Sequence, residues 1–285
     1  MLLELAVGDA YGSSFEFASK KFVEEFNTLQ KYYQHPRFKN NGDNMYTDDT
    51  QQSIAISESV ILHNEWTKEL VADKMVEVFK RDERPGYTSG FFNILKQVEN
   101  GKELLEKIHG NSEKCGAAMR AMPIGVLSNI WEVISKSYIQ ATITHNSHDG
   151  IESSIASSLM AHYFIYNIGP KKELPDFLRC YNKNLWEKPW RGEKVSTNGI
   201  ECVHAALTMV IKYNNMADIL NGCVSCLGDT DSVASIALAV ASNSNEIEQN
   251  LPQILVDDLE NGDYGKDYLI NLDNVLFKLK GRERF

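Results

Sequence analysis

The stretch that decides the fold is residues 201–212, which read ECVHAALTMVIK. Its apolar side chains recur at intervals of three and four residues, at Val203, Ala206, Leu207, Val210 and Ile211. Because an α-helix completes a turn in about 3.6 residues, this spacing collects the apolar side chains on one helical face that other elements must cover. The segment therefore predicts a helix that packs against a hydrophobic core.

The same periodicity recurs along the chain. It predicts further helices over residues 50–63, 68–79, 91–98, 151–165 and 232–241. Alternating apolar and polar runs bounded by turn residues, which are typical of half-buried strands, are almost absent from the sequence. No internal repeat, low-complexity tract or linker divides it. The sequence thus predicts an all-α fold and a single compact domain over residues 1–285.

Irregular segments separate the predicted helices at residues 31–46, 81–90 and 181–199. Long loops on a helical scaffold often carry binding residues. The third segment contains Trp186 and Trp190, so it is a candidate wall for a planar ligand. The same side chains would serve equally well to cover the hydrophobic core.

Composition argues against several classes of partner. The 29 Lys and Arg residues against 39 Asp and Glu residues give a formal net charge of −10, which disfavours binding to nucleic acid. The longest apolar run, residues 236–241, is far shorter than the ~20 residues that cross a bilayer, so no membrane partner is expected. Five cysteines and the lack of a recognisable signal peptide indicate free thiols and a cytoplasmic location.

Short acidic motifs fall at turns or at predicted helix starts. They are GDAYGSSFE at residues 8–16, TDDT at residues 47–50 and GDTDS at residues 228–232. Taken singly, each motif is explained as a helix N-cap, because Thr and Asp side chains accept hydrogen bonds from the free N–H groups of a first turn. Taken together, the motifs contain more carboxylate and hydroxyl oxygens than capping requires.

These oxygens suit a hard cation. If the motifs converge, they form a set of oxygen ligands without sulfur or imidazole, which favours Mg²⁺ or Mn²⁺ over Zn²⁺. Clustered carboxylates repel one another unless cations neutralise them, so convergence indicates more than one metal ion. The candidate side chains are Glu16, Thr47, Asp48, Asp49, Asp229, Asp231 and Ser232.

The order of the motifs resembles that of the ADP-ribosylglycohydrolase family. Besides the acidic motifs, the chain contains GAAMRAMPIG at residues 116–125 and the pair Thr144-His145. The resemblance runs from Gly8 to about Ala237 and so covers most of the chain. It implies an orthogonal bundle of helices, with two Mg²⁺ ions bound at helix starts and loops. It also implies hydrolysis of the bond between ADP-ribose and a protein or small-molecule acceptor, with arginine the first expectation.

The resemblance also implies roles for single residues. Thr47, Asp48 and Asp49 correspond to one metal cluster, and Asp229, Asp231 and Ser232 correspond to the other. Glu16 or Asp48 would be the general base, and Glu16 is preferred because it corresponds to a flexible acid near the metals. The substrate-binding residues would be Ser112, Gly116, Ala117 and His145.

Each substrate-side assignment has a structural alternative. The glycine-rich stretch before Ala117 could present backbone N–H groups to the diphosphate, or it could be a tight turn before a core helix that Pro123 ends. His145 and His148 could bind substrate, or they could cap the helix predicted from Ile151. Arg120 is expected to be a buried ion-pair partner that positions a neighbouring loop.

The chain departs from the family pattern at several positions. Ser232 stands where Thr is usual and retains the hydroxyl oxygen, and Leu227 replaces a common Gly. Cys115 stands where Asn is frequent, Asn198 where an aromatic residue is common, and Glu113 would bring a carboxylate towards the diphosphate. These differences leave open a second function, a non-catalytic ADP-ribose or nucleotide-binding module on the same fold.

Overall fold

The computed structural model describes residues 1–38, 44–182 and 186–280. In the first half the α-helices are α1 (Leu2–Ser13), α2 (Lys20–Phe26), α3 (Asp48–Leu62), α4 (Lys68–Arg81), α5 (Ser89–Gln97), α6 (Gly101–Lys107) and α7 (Ile130–Thr144). In the second half they are α8 (His148–Ile165), α9 (Leu174–Arg179), α10 (Gly199–Lys212), α11 (Met216–Ser225), α12 (Thr230–Ala241), α13 (Gln253–Asp258) and α14 (Lys266–Phe277). No β-strand forms within these residues, and the prediction of an all-α fold is confirmed.

The helix starts are the least accurately predicted part of the fold. The structure begins α3 at Asp48 and α12 at Thr230, two residues before the predicted starts. Apolar periodicity cannot detect a first turn made of polar residues, whose carboxylates are favoured there by the free N–H groups and the helix dipole. The helix predicted from Ile151 likewise begins at His148, where Ser147 accepts a hydrogen bond from the Gly150 N–H group and acts as the cap.

Helix α12 forms the centre of the core, and every one of its residues is buried. Helix α1 approaches it through two glycines one turn apart. A Cβ atom on Gly8 would lie 2.7 Å from the carbonyl oxygen of Ala234, and one on Gly12 would lie 2.5 Å from Cα of Asp231. The absence of these side chains lets the two backbones touch and fixes the end of α1 beside the start of α12.

The GAAMRAMPIG stretch does not form the single core helix that was one alternative for it. It contains two 3-10 turns, Cys115–Ala117 and Met122–Val126, with Pro123 in the first turn of the second. Proline has no N–H group to donate and suits this position. The residues between the turns are buried, so the stretch crosses the core as an irregular connection.

The tryptophan-containing loop covers the core. Trp186 is 2% exposed, its indole N–H group donates to Oδ1 of Asn182, and its ring packs edge-on against His204. Neither Trp186 nor Trp190 lines the central cleft described below. The second of the two interpretations of this loop is therefore the one that the structure supports. None of the described helices combines the length and the hydropathy that a membrane span requires.

Candidate metal centre and substrate cleft

The three acidic motifs meet at one cleft with a volume of about 400 Å³. The first motif reaches it after the end of α1, and the other two reach it at the starts of α3 and α12. The acidic motifs contribute Glu16, Asp48, Asp49, Asp229, Asp231 and Ser232 to its lining. Side chains from three distant parts of the sequence thus share one site.

Three of these carboxylates are close enough to share a cation. One oxygen atom each of Glu16, Asp229 and Asp231 lies within 4.8 Å of the other two. Asp229 and Asp231 are buried, whereas Glu16 is half-buried at the edge of the cleft. Carboxylate oxygens without sulfur or imidazole among them match the ligand preferences of Mg²⁺.

The cleft is electrostatically unfavourable for the acids that line it. Burial, followed by the charge of Asp9, raises the pKa of Asp48 and of Asp49 well above the usual range. Burial and the neighbouring carboxylate of Glu16 do the same for the pKa of Asp231. Because burial and like charges both disfavour the ionised form, these acids need cations or protons to be stable together.

Asp9 explains why the acids of α3 are free to point into the cleft. Its fully buried carboxylate accepts hydrogen bonds from the N–H groups of Thr47 and Thr50, both at 2.9 Å, and from their hydroxyls at 2.7 and 2.6 Å. An acid from α1 thereby satisfies the first turn of α3 from outside. Thr47 itself makes no side-chain cap and lies outside the cleft lining.

A glycine in the loop before α5 touches Asp48. Gly86 has φ +101°, and a Cβ atom there would lie 2.1 Å from Oδ1 of Asp48. The adjacent carbonyl of Pro85 accepts a hydrogen bond of 3.0 Å from the Asp48 N–H group. On the other side, Nε2 of Gln52 donates to Oδ2 of Asp48 at 3.1 Å. Both oxygens of this carboxylate are therefore positioned by neighbours that the acidic motifs do not reveal.

The cluster formed by Asp229, Asp231 and Ser232 is positioned by a tight turn. Leu227 and Gly228 have φ +59° and +81°, and Val195 pairs with the turn through backbone hydrogen bonds to Leu227 and Asp229. A Cβ atom on Gly228 would lie 1.8 Å from the carbonyl oxygen of Val195, so only glycine fits there. The turn brings Asp229 to the first turn of α12, where Ser232 also faces the cleft.

The substrate-side candidates divide into those that face the cleft and those that do not. Ser112, Gly116 and His145 line the cleft, whereas Ala117 is buried outside its lining. Lys114, which carries a positive charge, also lines it. Exposed Glu113 does not, so the expected approach of its carboxylate to a bound diphosphate is wrong. Lys114 has extended backbone angles, and neighbouring side chains of extended backbone point to opposite sides.

The profile of the ADP-ribosylglycohydrolase family matches residues 1–284. The chain belongs to this family. It is 22% identical to ADP-ribosylhydrolase ARH3 of Xenopus tropicalis, with 87% of each chain covered. It is 23% identical to ADP-ribosyl-[dinitrogen reductase] glycohydrolase of Rhodospirillum rubrum, with 82% of this chain and 81% of that protein covered. A solved ADP-ribosylglycohydrolase-related protein complex shares the fold, with a TM-score of 0.73 and 18% identity over 98% of this chain and 96% of that one.

Two of the departures from the family pattern have clear structural consequences. Leu227 adopts a left-handed conformation at the position where the resemblance leads us to expect glycine, which costs a non-glycine residue on the order of 1 kcal/mol. Asn198 caps α10, accepting from the N–H groups of Ile200 and Glu201, while its amide donates to Oδ2 of Asp149. Its side chain does not line the cleft.

One wall of the cleft is apolar, and it was not predicted from the sequence. Phe91 and Ile94 of α5, with Ile108 after α6, line the side formed by the first half of the chain. Each is partly buried and packs against the core. Their spacing indicates an amphipathic helix, but nothing local distinguishes a core-facing apolar residue from one that borders a cleft.

Arg120 is fully buried, but the expectation of an ion pair is wrong. Within the described parts of the chain no carboxylate lies within 4.0 Å of its guanidinium, which instead donates to neutral oxygens. The acceptors are Oε1 of Gln140 at 2.5 Å, the carbonyl oxygen of Gln140 at 3.0 Å, Oε1 of Gln52 at 2.5 Å and Oγ1 of Thr144 at 2.9 Å. Burial lowers the pKa of Arg120 to about 9, so it remains a cation at neutral pH.

Proposed function

We propose that this chain is a magnesium-dependent hydrolase that releases ADP-ribose from an ADP-ribosylated side chain, with arginine as the first acceptor to test. Its family supports hydrolytic removal of ADP-ribose from an acceptor. The observation that carries the finer proposal is the convergence of oxygen atoms of Glu16, Asp229 and Asp231 within 4.8 Å of one another. We also propose that residues 1–285 act as one catalytic domain.

The residues present fit divalent cations. Several buried carboxylates with raised pKa values face one cleft, and none of the ion pairs formed by the described residues neutralises them. We assign Asp48 and Asp49 to one Mg²⁺ ion, and Asp229, Asp231 and Ser232 to a second; Mn²⁺ would suit the same oxygens. Thr47 stays a proposed ligand of the first ion only through the lone pair that remains when its hydroxyl donates to Asp9, since it lies outside the cleft lining. When bound, the ions would neutralise the acids and polarise ribose oxygens.

Cleavage of a ribosyl bond passes through a transition state with positive charge on the sugar, which carboxylates stabilise. Glu16 is the preferred general base because it is the least buried of the cleft acids and follows the end of α1. It would accept a proton from the attacking water as the water oxygen bonds to the anomeric carbon. The bond from that carbon to the acceptor breaks, and the proton that Glu16 accepted passes to the departing acceptor, so that the water supplies both the new hydroxyl of ADP-ribose and the proton of the acceptor.

The opposite side of the cleft supports the proposed substrate. Lys114 supplies a positive charge near Ser112, Gly116 and His145. A diphosphate bound there would contact the ammonium group of Lys114 and the backbone of Gly116, which no side chain covers. The wall that contains Phe91 and Ile94 would pack against apolar or planar parts of the substrate.

The decisive experiment measures free ADP-ribose released from matched peptides linked through arginine or serine, with Mg²⁺ and with EDTA. Release from one peptide in Mg²⁺, and its loss in EDTA, is the expected result. No release from either peptide or from small-molecule ADP-ribosides would overturn the proposal. Calorimetry that then detects tight ADP-ribose binding would instead support the non-catalytic binding module.

A further inference from the structure

His145 presents its two ring nitrogens to different surroundings. Nδ1 forms a buried hydrogen bond of 2.6 Å with Oγ1 of Thr144, a residue that also borders the cleft. No described residue forms a hydrogen bond with Nε2, and the ring lines the cleft. The tautomer of His145 therefore determines whether the cleft meets a hydrogen-bond donor or an acceptor.

The hydrogen bonds of Thr144 select one tautomer. A guanidinium can only donate, so Oγ1 of Thr144 must accept the bond of 2.9 Å from Nη2 of Arg120. The hydroxyl proton of Thr144 then needs an acceptor of its own, and Nδ1 of His145 is its remaining contact. Buried hydroxyl protons are rarely left without a partner. Nδ1 thus accepts, and the proton of the neutral ring lies on Nε2.

Gly116 leaves the Nε2 edge of the ring accessible. A Cβ atom at position 116 would lie 3.0 Å from Nε2 and 2.8 Å from Cε1 of His145. A Cβ atom on Gly150 would lie 2.6 Å from Cβ of His145, so this backbone limits movement of the side chain. The two glycines hold the imidazole closely without covering the nitrogen that faces the cleft.

His145 remains uncharged under physiological conditions. Burial, with smaller contributions from the positive charges of Arg120 and Lys114, lowers its pKa to about 3. A neutral imidazole of one tautomer is a fixed donor rather than a group that exchanges protons with the substrate.

The same guanidinium reaches the metal side of the cleft. Nη1 of Arg120 donates to Oε1 of Gln52, which orients the Gln52 amide so that Nε2 donates to Asp48. Nε of Arg120 donates to Oε1 of Gln140. The Gln140 amide is held in turn by donating to the Ala117 carbonyl and the Ser154 hydroxyl. One buried cation thereby orients both a candidate metal ligand and the histidine opposite.

We propose that Arg120 and Thr144 are positioning residues that hold His145 with its proton on Nε2, where it donates a hydrogen bond to an oxygen of the bound ADP-ribosyl group. The identity of this ligand rests on the proposed function. The protonation of the ring and its cause are properties of the free protein.

The tautomer is tested by NMR of protein labelled with ¹⁵N-histidine, in which two-bond couplings identify the protonated nitrogen. The His145 signals are those that disappear in His145→Asn. We expect protonation on Nε2 in the unchanged protein, and protonation on Nδ1 would overturn the inference without any further variant.

Two substitutions at position 144 test the cause. Thr144→Ser retains the hydroxyl and should retain the wild-type pattern. Thr144→Val removes it and should give a mixture of tautomers. Arg120→Lys, in protein that retains a cooperative thermal transition, should resemble Thr144→Val. A wild-type pattern in Thr144→Val would contradict the assigned role of Thr144, and one in Arg120→Lys would contradict that of Arg120.

Calorimetry with ADP-ribose tests the proposed hydrogen bond. Gly116→Ala places a Cβ atom 2.8 Å from Cε1 of His145, so the ring must shift and Nε2 leaves its position in the cleft. Binding should weaken about tenfold, the usual effect of losing one hydrogen bond in a buried site. Unchanged affinity in this variant would overturn the donor role. Protonation on Nε2 in a protein that neither binds nor hydrolyses ADP-riboside substrates would mean that the proposed function had failed and the tautomer assignment had not.

Discussion

The two sides of the cleft are built in different ways. On the metal side, Asp48, Asp49 and Asp231 lie in first turns of α3 and α12 and are buried. On the substrate side, residues 108–114 form an irregular segment paired at isolated points, with Asn111 opposite His145 and Lys114 opposite Asn198. The charged side chains of this segment, including Glu113 and Lys114, are exposed.

Because of this difference, substitutions on the two sides of the cleft should have different effects. Buried acids at helix starts affect both the chemistry and the stability, because burial raises their pKa values. An exposed residue on a segment held by its backbone affects ligand binding, because its side chain supports little of the fold. Variants on the metal side should therefore change kcat, metal affinity and stability together, and variants on the substrate side should change KM alone.

The largest effect is expected for Asp231→Asn. Removal of one carboxylate from the cluster should lower ADP-ribose release about 10²–10³-fold, the scale seen when a preorganised electrostatic contact is removed. The same substitution removes a buried like charge, so in EDTA at neutral pH the free energy of unfolding should rise. Loss of activity with a gain in stability distinguishes a metal ligand from a structural acid.

Asp263→Asn is the matched control. It makes the same chemical change at an exposed position outside the cleft. Neither activity nor the urea midpoint should change. If Asp231→Asn retained full activity, or was destabilised in EDTA, the assignment of Asp231 to the metal side would be contradicted.

The pH dependence of stability provides the second prediction. An acid whose pKa is raised in the folded protein holds its proton more tightly there than in the unfolded chain. Its ionisation therefore lowers the free energy of unfolding as pH rises from about 4 towards the raised values. The pKa of Glu16 is raised to about 7, by burial first and then by Asp229 and Asp9. Bound Mg²⁺ would remove this penalty.

Urea unfolding at several pH values between about 4 and 7, with Mg²⁺ and with EDTA, measures the effect. The difference between the two series should grow with pH, reaching on the order of 1–3 kcal/mol. Comparing the two series cancels acids outside the cleft, such as Glu58, whose pKa is lowered by hydrogen bonds and ion pairing to Arg81 that outweigh burial. A difference that was constant or that decreased with pH would be inconsistent with the proposed convergence of charges.

Gly86→Ala tests the contact between the loop before α5 and the metal side. The new Cβ atom would lie 2.1 Å from Oδ1 of Asp48, and φ +101° is unfavourable for alanine. We expect a loss of stability of about 1–3 kcal/mol and weaker Mg²⁺ binding by calorimetry. Gly90→Ala is the control for stability, because a Cβ atom there meets nothing within 4 Å. An equal loss in both variants would show that the Asp48 contact is unimportant.

The metal side was more predictable from the sequence than its surroundings. Adjacent acids at helix starts are a local signal, and Asp48, Asp49, Asp229 and Asp231 carry it. Gly86 and Gln52 could not be assigned, because their importance arises from contacts with Asp48 that only the folded chain creates. The burial of Asp9 as a cap for another helix is non-local in the same way.

On the substrate side, prediction from the sequence is limited for a different reason. Trp186 was a candidate wall and covers the core, whereas Phe91 lines the cleft, because apolar patterns are the same in both environments. Glu113 is exposed outside the cleft lining, although its neighbours Ser112 and Lys114 line the cleft. The sequence does not specify the backbone angles of this irregular segment, which determine which of its side chains face the cleft.

Lys114→Ala should have the smallest effect and the one most clearly confined to the substrate side. Lys114 is exposed and lines the cleft, so its loss removes a positive charge near the proposed diphosphate without disturbing the core. KM should rise about tenfold with kcat nearly unchanged, the cost of one charge-assisted hydrogen bond. Because the contact is exposed to solvent, the difference from wild type should shrink at high salt.

Lys102→Ala, at an exposed position outside the cleft lining, should leave both constants unchanged. A fall in kcat at constant KM for Lys114→Ala would mean that the lysine acts on the reacting centre and that the two sides of the cleft are not separable.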